Sequence, residues 1–70
     1  MTGMDARSWL LAFARRLGLD PPTDEQVGQV LALAGVAAHS SERTAAPVAC
    51  WLAGRAGLDL AVALEAAEAL

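Results

Sequence analysis

The segment "HSSERTAAPVACWLAG", residues 39–54, contains the residue types in this chain that could do chemistry. It opens with six consecutive polar or ionisable side chains, in a chain otherwise rich in alanine and leucine, and continues to a proline, a cysteine and a tryptophan. These side chains offer an imidazole, several hydroxyls, a guanidinium and a thiol. Anion binding and nucleophilic or acid–base catalysis are therefore the chemistries to weigh.

Anion binding is the chemistry that the spacing favours most. A helix N-terminus presents unpaired amides and the positive end of its dipole, and nearby hydroxyls and a guanidinium add donors. If a helix begins at Ser40 or Ser41, these donors would surround one point. The alternative is an ordinary helix cap with Glu42 in the first turn, because caps occur on most helices and no glycine-rich phosphate loop is present. The predicted anion-binding residues are His39, Ser40, Ser41, Arg43 and Thr44.

Catalysis and metal binding have weaker support in the sequence. His39 has no carboxylate or cysteine at a motif spacing, and a helix C-terminus or an exposed linker also accounts for it. Cys50 would need neighbours that lower its pKa, and none can be identified. One histidine and one cysteine cannot supply the usual four zinc ligands. The sequence indicates no catalytic residue, no metal site and no cofactor, and it favours a protein that is not an enzyme.

The elements that would position these residues are helices. Apolar residues recur at helical spacing, and breaks at residues 18–22, 39–41 and 54–57 divide the chain. We therefore predict an all-α fold, a compact bundle of about four short helices. The first begins after Asp5 and ends at Gly18, and the second begins at Thr23 and ends near Ala38.

The third predicted helix contains the candidate site. It should begin near Ser40 or Ser41 and run to about Arg55, with a kink or a break near Pro47, which lies too far along to be a first-turn proline. A single kinked helix is the form we expect. The fourth helix begins at Asp59 and continues to the C-terminus.

Length and composition limit the size of the core. A chain of 70 residues fits one domain, residues 1–70, whose core supplies about 3 to 5 kcal/mol of net stability. The 56% hydrophobic content overstates this core, because about a quarter of the chain is alanine. Trp9, Cys50 and Trp51 can be core or interface residues. The larger side chains available to build the core are Trp9, Leu10, Phe13, Leu17, Val27, Val30, Leu31, Val48, Trp51, Leu52, Leu58, Val62 and Leu64.

Charge and hydropathy argue against two classes of partner. The net charge is -3, and the five basic residues are arginines that cluster only at Arg15 and Arg16, so we expect no nucleic-acid binding. No apolar run reaches the roughly 20 residues of a membrane span. The first residues, "MTGMDARSW", lack the basic and apolar regions of a signal peptide, so a cytoplasmic location without membrane contact is expected.

The segments "WLLAFARRLGLDPPT" and "VLALAGVAAHSSERTAAPVACWLAG" resemble a small domain of unknown function from GC-rich bacteria. That domain occurs alone or joined to a nucleotidyltransferase-like domain related to molybdopterin-guanine dinucleotide synthesis. The most specific part of the resemblance is the run from His39 to Pro47. The resemblance implies an association with molybdenum-cofactor maturation and assigns no catalytic residue.

Two functions follow as expectations. The first is a non-enzymatic accessory or protein-interaction module, because a chain this small gains stability by burying apolar surface on a partner. We expect that partner to be a second copy of the chain or a nucleotidyltransferase-like protein. The alternative is a phosphate- or nucleotide-binding helical module that uses the segment from His39 to Thr44.

Overall fold

Four helices make up the regular structure of residues 5–70, the part of the chain that the computed structural model describes. This part contains no strand, so the predicted all-α bundle of four short helices is confirmed. The predicted domain and the N-terminal stretch include residues 1–4, which lie outside the described residues. The helices are α1 (Ala6–Arg16), α2 (Asp24–Ser40), α3 (Ala45–Ala56) and α4 (Leu60–Glu68).

The first helix has the capping residues that the sequence predicts. The Asp5 carboxylate accepts a hydrogen bond of 2.7 Å from the Ser8 amide, which satisfies one unpaired donor of the first turn. At the other end Gly18 has φ +74°, a left-handed conformation that glycine adopts without strain. The Leu19 amide then donates to the Ala14 carbonyl at 2.9 Å, so the chain turns away towards the two prolines.

The second helix begins with the predicted capping box. The Thr23 hydroxyl accepts from the Gln26 amide at 3.1 Å, and the Gln26 side-chain oxygen accepts from the Thr23 amide at 2.9 Å. Asp24 and Glu25 lie in the first turn, where the helix dipole favours negative charge. These interactions fix the start of α2 directly after the proline pair.

The predicted start of the third helix is wrong. Ser40 is the last residue of α2 and Ser41 is its C-terminal cap, so neither residue begins α3. Residues 41–44 form the connection, in which the Ala45 amide donates to the Glu42 carbonyl at 2.9 Å. The helix that contains Pro47 begins only two residues before it. Pro47 is thus a first-turn residue whose missing N–H has no intrahelical acceptor to lose, so no kink is needed.

The long helix α2 organises the bundle by packing against both α3 and α4, whereas α1 makes far fewer contacts with the other helices. Leu33 of α2 is the one large side chain among the buried core residues of the described chain, with 4% of its surface exposed. The other two are Ala14 and Ala63. The fully buried core is therefore small. Most of the half-buried side chains around it are alanines and valines.

Candidate interaction surface

Helix α3 packs with its small side chains inward and its large apolar side chains outward. Trp51 is 59% exposed, and Val48 and Leu52 are each more than half exposed. Because these residues are spaced three or four apart, they share one side of the helix. We call Val48, Trp51, Leu52 and Arg55 the outer face of α3. The half-buried side consists of Ala45, Ala46, Ala49, Cys50 and Ala53.

The small side of α3 suits its neighbour α2. The half-buried side chains of α2 include a run of small residues from Ala34 to Ala38, interrupted only by Val36. Small residues line both helices at this contact, and the Cys50 Sγ lies 3.9 Å from the Val30 carbonyl oxygen. The geometry of the contact thus places the large side chains in solvent.

Arg55 covers part of the exposed tryptophan. Its guanidinium carbon lies 5.0 Å from the centroid of the Trp51 ring, within the range of a cation–π interaction. An arginine stem can also lie along apolar surface while its charge stays in water. The outer face of α3 therefore combines an aromatic anchor with a single positive charge.

Helix α1 also carries more apolar surface than it buries. Leu10 is half-buried and Ala14 is buried, so these two residues face the rest of the bundle. Trp9, Phe13 and Leu17 follow one another at four-residue spacing on the adjacent side, and Trp9 is 52% exposed. We call these three residues the outer face of α1. The Trp9 and Phe13 rings are 5.1 Å apart between centroids and tilted by 32°, a favourable aromatic pair on the surface.

A cleft of about 440 Å³ lies between α1 and the start of α2. Its walls are mainly apolar, with Leu10 and Leu11 on one side and Pro21, Pro22 and Val27 on the other. Arg7 and Asp24 form an ion pair of 3.1 Å at this cleft. Both side chains are 83% exposed, so this pair contributes little to holding α1 in place. The cleft is large enough to receive an apolar side chain of a partner.

The accessible surface of the chain agrees with these local observations. It is 5644 Å², whereas a folded monomer of 7.2 kDa is expected to expose about 4,100 Å². Nine of the thirteen predicted core candidates are exposed, including Leu31, Leu58 and Val62, and none of the thirteen is fully buried.

The predicted anion-binding residues lie around the end of α2. His39 and Ser40 belong to its last turn, Ser41 caps it, and Arg43 and Thr44 form a turn before α3; all five are exposed. The end of α2 presents carbonyl oxygens and the negative end of the dipole, which repel anions. Thr44 is the cap of α3, but its side chain makes no capping hydrogen bond within the described chain. Ser40 and Ser41 therefore do not lie at a helix N-terminus, which was the reason to expect an anion beside them. Anion binding by the five residues stays a prediction.

The surroundings of Cys50 and of the possible metal ligands also show no arrangement suited to catalysis or metal binding among the described residues. Cys50 is half-buried and forms no disulfide, and its thiol donates a long hydrogen bond of 3.9 Å to the Val30 carbonyl oxygen. Residues 5–70 contain no group of three or more His, Cys, Asp or Glu side chains placed to hold a metal ion. In the same range, no helix has both the length and the apolar composition to cross a bilayer.

The exposed outer face of α3 is the structural feature that the sequence did not predict. Trp51 and Val48 were expected among the core candidates because large apolar residues usually are buried. A signal was present, because the alanines and Cys50 alternate with the large residues at helical spacing and so define two opposite sides. Only the contact with α2 decides which of the two sides is buried.

Comparison with known proteins places the chain in a family. No curated protein and no solved structure matches it. One family model matches residues 1–70, and its description is a domain of unknown function, DUF6457. The chain, with its four helices and its exposed aromatic faces, belongs to the DUF6457 family.

Proposed function

We propose that this protein is a non-enzymatic interaction module that binds another protein through the large apolar side chains of α1 and α3. The observation that carries the proposal is the outward position of Trp51 and its neighbours on α3. Tryptophan and arginine are the residues most enriched at the energetic centres of protein interfaces, and both occur on this face. The aromatic pair of α1 adds a second surface of the same chemistry.

The small core supports the same proposal, because a fold with little buried surface gains stability when a partner covers its apolar side chains. Leu33 is the one large buried side chain of the described chain, so the free energy of unfolding rests on few buried groups. A partner that covers the outer faces would add buried apolar area and would stabilise the fold by binding only the native state.

The partner that we propose is a nucleotidyltransferase-like protein related to molybdopterin-guanine dinucleotide synthesis. This choice is supported by the resemblance of residues 9–23 and 30–54 to a domain that occurs joined to such a protein. Binding would associate the module with molybdenum-cofactor biosynthesis. The phosphate-binding alternative has less support, because Ser40 and Ser41 lie at the carbonyl end of a helix.

Isothermal titration calorimetry with that nucleotidyltransferase-like protein tests the proposal. We expect saturable binding by the wild type and a weakening of roughly 30-fold in the doubly substituted Trp9→Ala, Phe13→Ala protein, the effect of losing one interface hot spot. Leu31→Ala is the control for loss of an exposed apolar side chain, because Leu31 is exposed on α2 and belongs to neither outer face, and it should bind as the wild type does. Absence of binding, or equal binding by the doubly substituted protein, would contradict the proposal.

A further inference from the structure

We propose that α1 folds and unfolds as a unit of its own while α2, α3 and α4 stay folded. The outer face of α1 is then present in one of two states of the protein, because Trp9, Phe13 and Leu17 share a side only when the helix is formed. A protein bound at this face favours the folded state of α1 by mass action. This last step alone rests on the proposed function, and it makes the folding of α1 part of partner binding.

Helix α1 shares little side-chain surface with the rest of the bundle. Leu10 is half-buried and Ala14 is buried, whereas the other nine residues of this 11-residue helix are exposed. In α2, by contrast, every side chain from Leu33 to Ala38 is buried or half-buried. Because burial of apolar surface is the main favourable contribution to folding, α1 is held far less firmly than α2.

Polar contacts add little to the attachment of α1. Among residues 5–70, no backbone hydrogen bond joins α1 to another helix. The Arg7–Asp24 ion pair of 3.1 Å does cross from α1 to α2, but both side chains are 83% exposed and water screens the attraction. The cleft of about 440 Å³ lies beside this pair, where a firmly docked helix would have packed side chains.

The connection between α1 and α2 separates the two helices as folding units. The caps of α1 are local, since Asp5 accepts from the Ser8 amide and the Leu19 amide donates to the Ala14 carbonyl. The capping box at Thr23 completes the start of α2 in the same local way. Two prolines, Pro21 and Pro22, stand between these caps and stop a helix from continuing across them. Unfolding of α1 therefore breaks no hydrogen bond of α2.

The length of α1 determines what happens when it leaves α2. An isolated helix shorter than about 12 to 15 residues is marginal in water, and α1 has 11. Once undocked, it loses its helical hydrogen bonds and its amides become accessible to solvent. Hydrogen exchange at these amides thus reports the undocking directly.

The experiment is residue-resolved hydrogen exchange by NMR on the whole protein without a partner, under conditions in which the exchange rate reports the opening equilibrium. We expect the amides of residues 10–16 to be protected about tenfold or more less than the Leu33 amide. Low concentrations of denaturant should speed exchange in α1 less steeply than in α2, because opening of α1 alone exposes less surface.

A matched pair of substitutions distinguishes separate units from one cooperative unit. Ala12 and Ala32 are exposed residues inside α1 and α2, and replacing either by glycine should shift the folding equilibrium of its helix by about fivefold. Ala32→Gly should speed exchange in α2 by that factor and leave α1 unchanged, because α1 opens without α2. Ala12→Gly should speed exchange in both helices, since α1 is already unfolded in the state in which α2 opens.

Equal acceleration of α1 and α2 in Ala32→Gly would overturn the inference, as would equal protection and equal denaturant dependence of the two helices in the wild type. If either variant does not fold, the denaturant dependence of the wild type decides the question. Because exchange is measured without a partner, its outcome is separate from the calorimetric titration. A single cooperative unit that still binds the nucleotidyltransferase-like protein removes this inference alone, and independent opening of α1 without binding removes the proposed function alone.

Discussion

Leu31 and Leu33 lie two residues apart on α2, yet Leu33 is 4% exposed and Leu31 is 65% exposed. Two residues on a helix differ by about 200° in direction, so Leu33 faces the interior of the bundle while Leu31 faces water. The contrast between the two leucines identifies the side of α2 that faces the core.

Leu33→Ala should lower the free energy of unfolding by about 2 to 5 kcal/mol, because it leaves a cavity in the core. Leu31→Ala, with the same change in chemistry, should change it by less than about 0.5 kcal/mol. Urea denaturation followed by circular dichroism measures both. Equal losses in the two variants would show that α2 is oriented differently in the bundle.

The threonines that cap α2 and α3 provide a second matched comparison. Thr23 takes part in a reciprocal capping box, so Thr23→Ala should cost about 0.5 to 2 kcal/mol. The Thr44 side chain makes no capping hydrogen bond with any described residue, so Thr44→Ala should have little effect. Thermal unfolding of the two variants checks this difference, and a large loss in Thr44→Ala alone would contradict the described start of α3.

The cap of α1 should make its stability depend on pH. The hydrogen bond from the Ser8 amide lowers the pKa of Asp5 below its ordinary value of 3.8, and a side-chain hydrogen bond from Ser8 and the Arg7 charge act in the same direction. The ionised form is thus favoured in the folded state. Its contribution is present above pH 3.8 and is lost as the pH falls through the lowered pKa.

Asp5→Asn is the control for this pH dependence, because asparagine caps a helix without titrating. The stability difference between the wild type and this variant should move against the wild type as the pH is lowered below 3.8. Denaturant unfolding across that range tests it, together with the carboxyl chemical shift of Asp5. A difference that stays constant with pH, or a pKa at or above 3.8, would be inconsistent with the cap.

Anion binding by residues 39–44 can be tested by thermal unfolding with added ligand. A bound anion would raise the melting temperature of the wild type, and Arg43→Ala would abolish the rise. Because the serines lie at the end of α2, we expect no Arg43-dependent stabilisation by phosphate, pyrophosphate or guanine nucleotides at constant ionic strength. A saturable rise that requires Arg43 would support the predicted anion site.

The sequence predicted the fold where local interactions decide it. Asp5, Thr23 with Gln26, and Asp59 each cap a helix through a hydrogen bond to an amide two or three residues away, and the residue types alone indicate these caps. The predicted start of α3 was wrong because Ser40 and Ser41 are residue types that often begin a helix, and a start at the serines would have placed Pro47 beyond the first turn. Alanines at 37 and 38 instead carry α2 on to Ser40.

The candidate surface depends on a contact between distant residues and was not predictable in this way. Cys50 and Val30 are 20 positions apart, and their proximity reflects the packing of α3 on α2. That packing buries the alanine side of α3 and leaves Trp51 outside, against the usual preference of large apolar residues for the core. Periodicity identifies two sides of a helix but does not tell which one meets a neighbour.

The most direct test of the outward position of Trp51 is fluorine NMR of the protein labelled with 5-fluorotryptophan. Trp9→Phe assigns the two resonances, and the shift of each between H₂O and D₂O reports its access to water. At submicromolar to low micromolar concentration we predict large solvent shifts for both Trp9 and Trp51, in keeping with exposures of 52% and 59%. A small solvent shift for Trp51 in the dilute, monomeric protein would show that the ring is buried within its own chain and would contradict the interaction surface on α3.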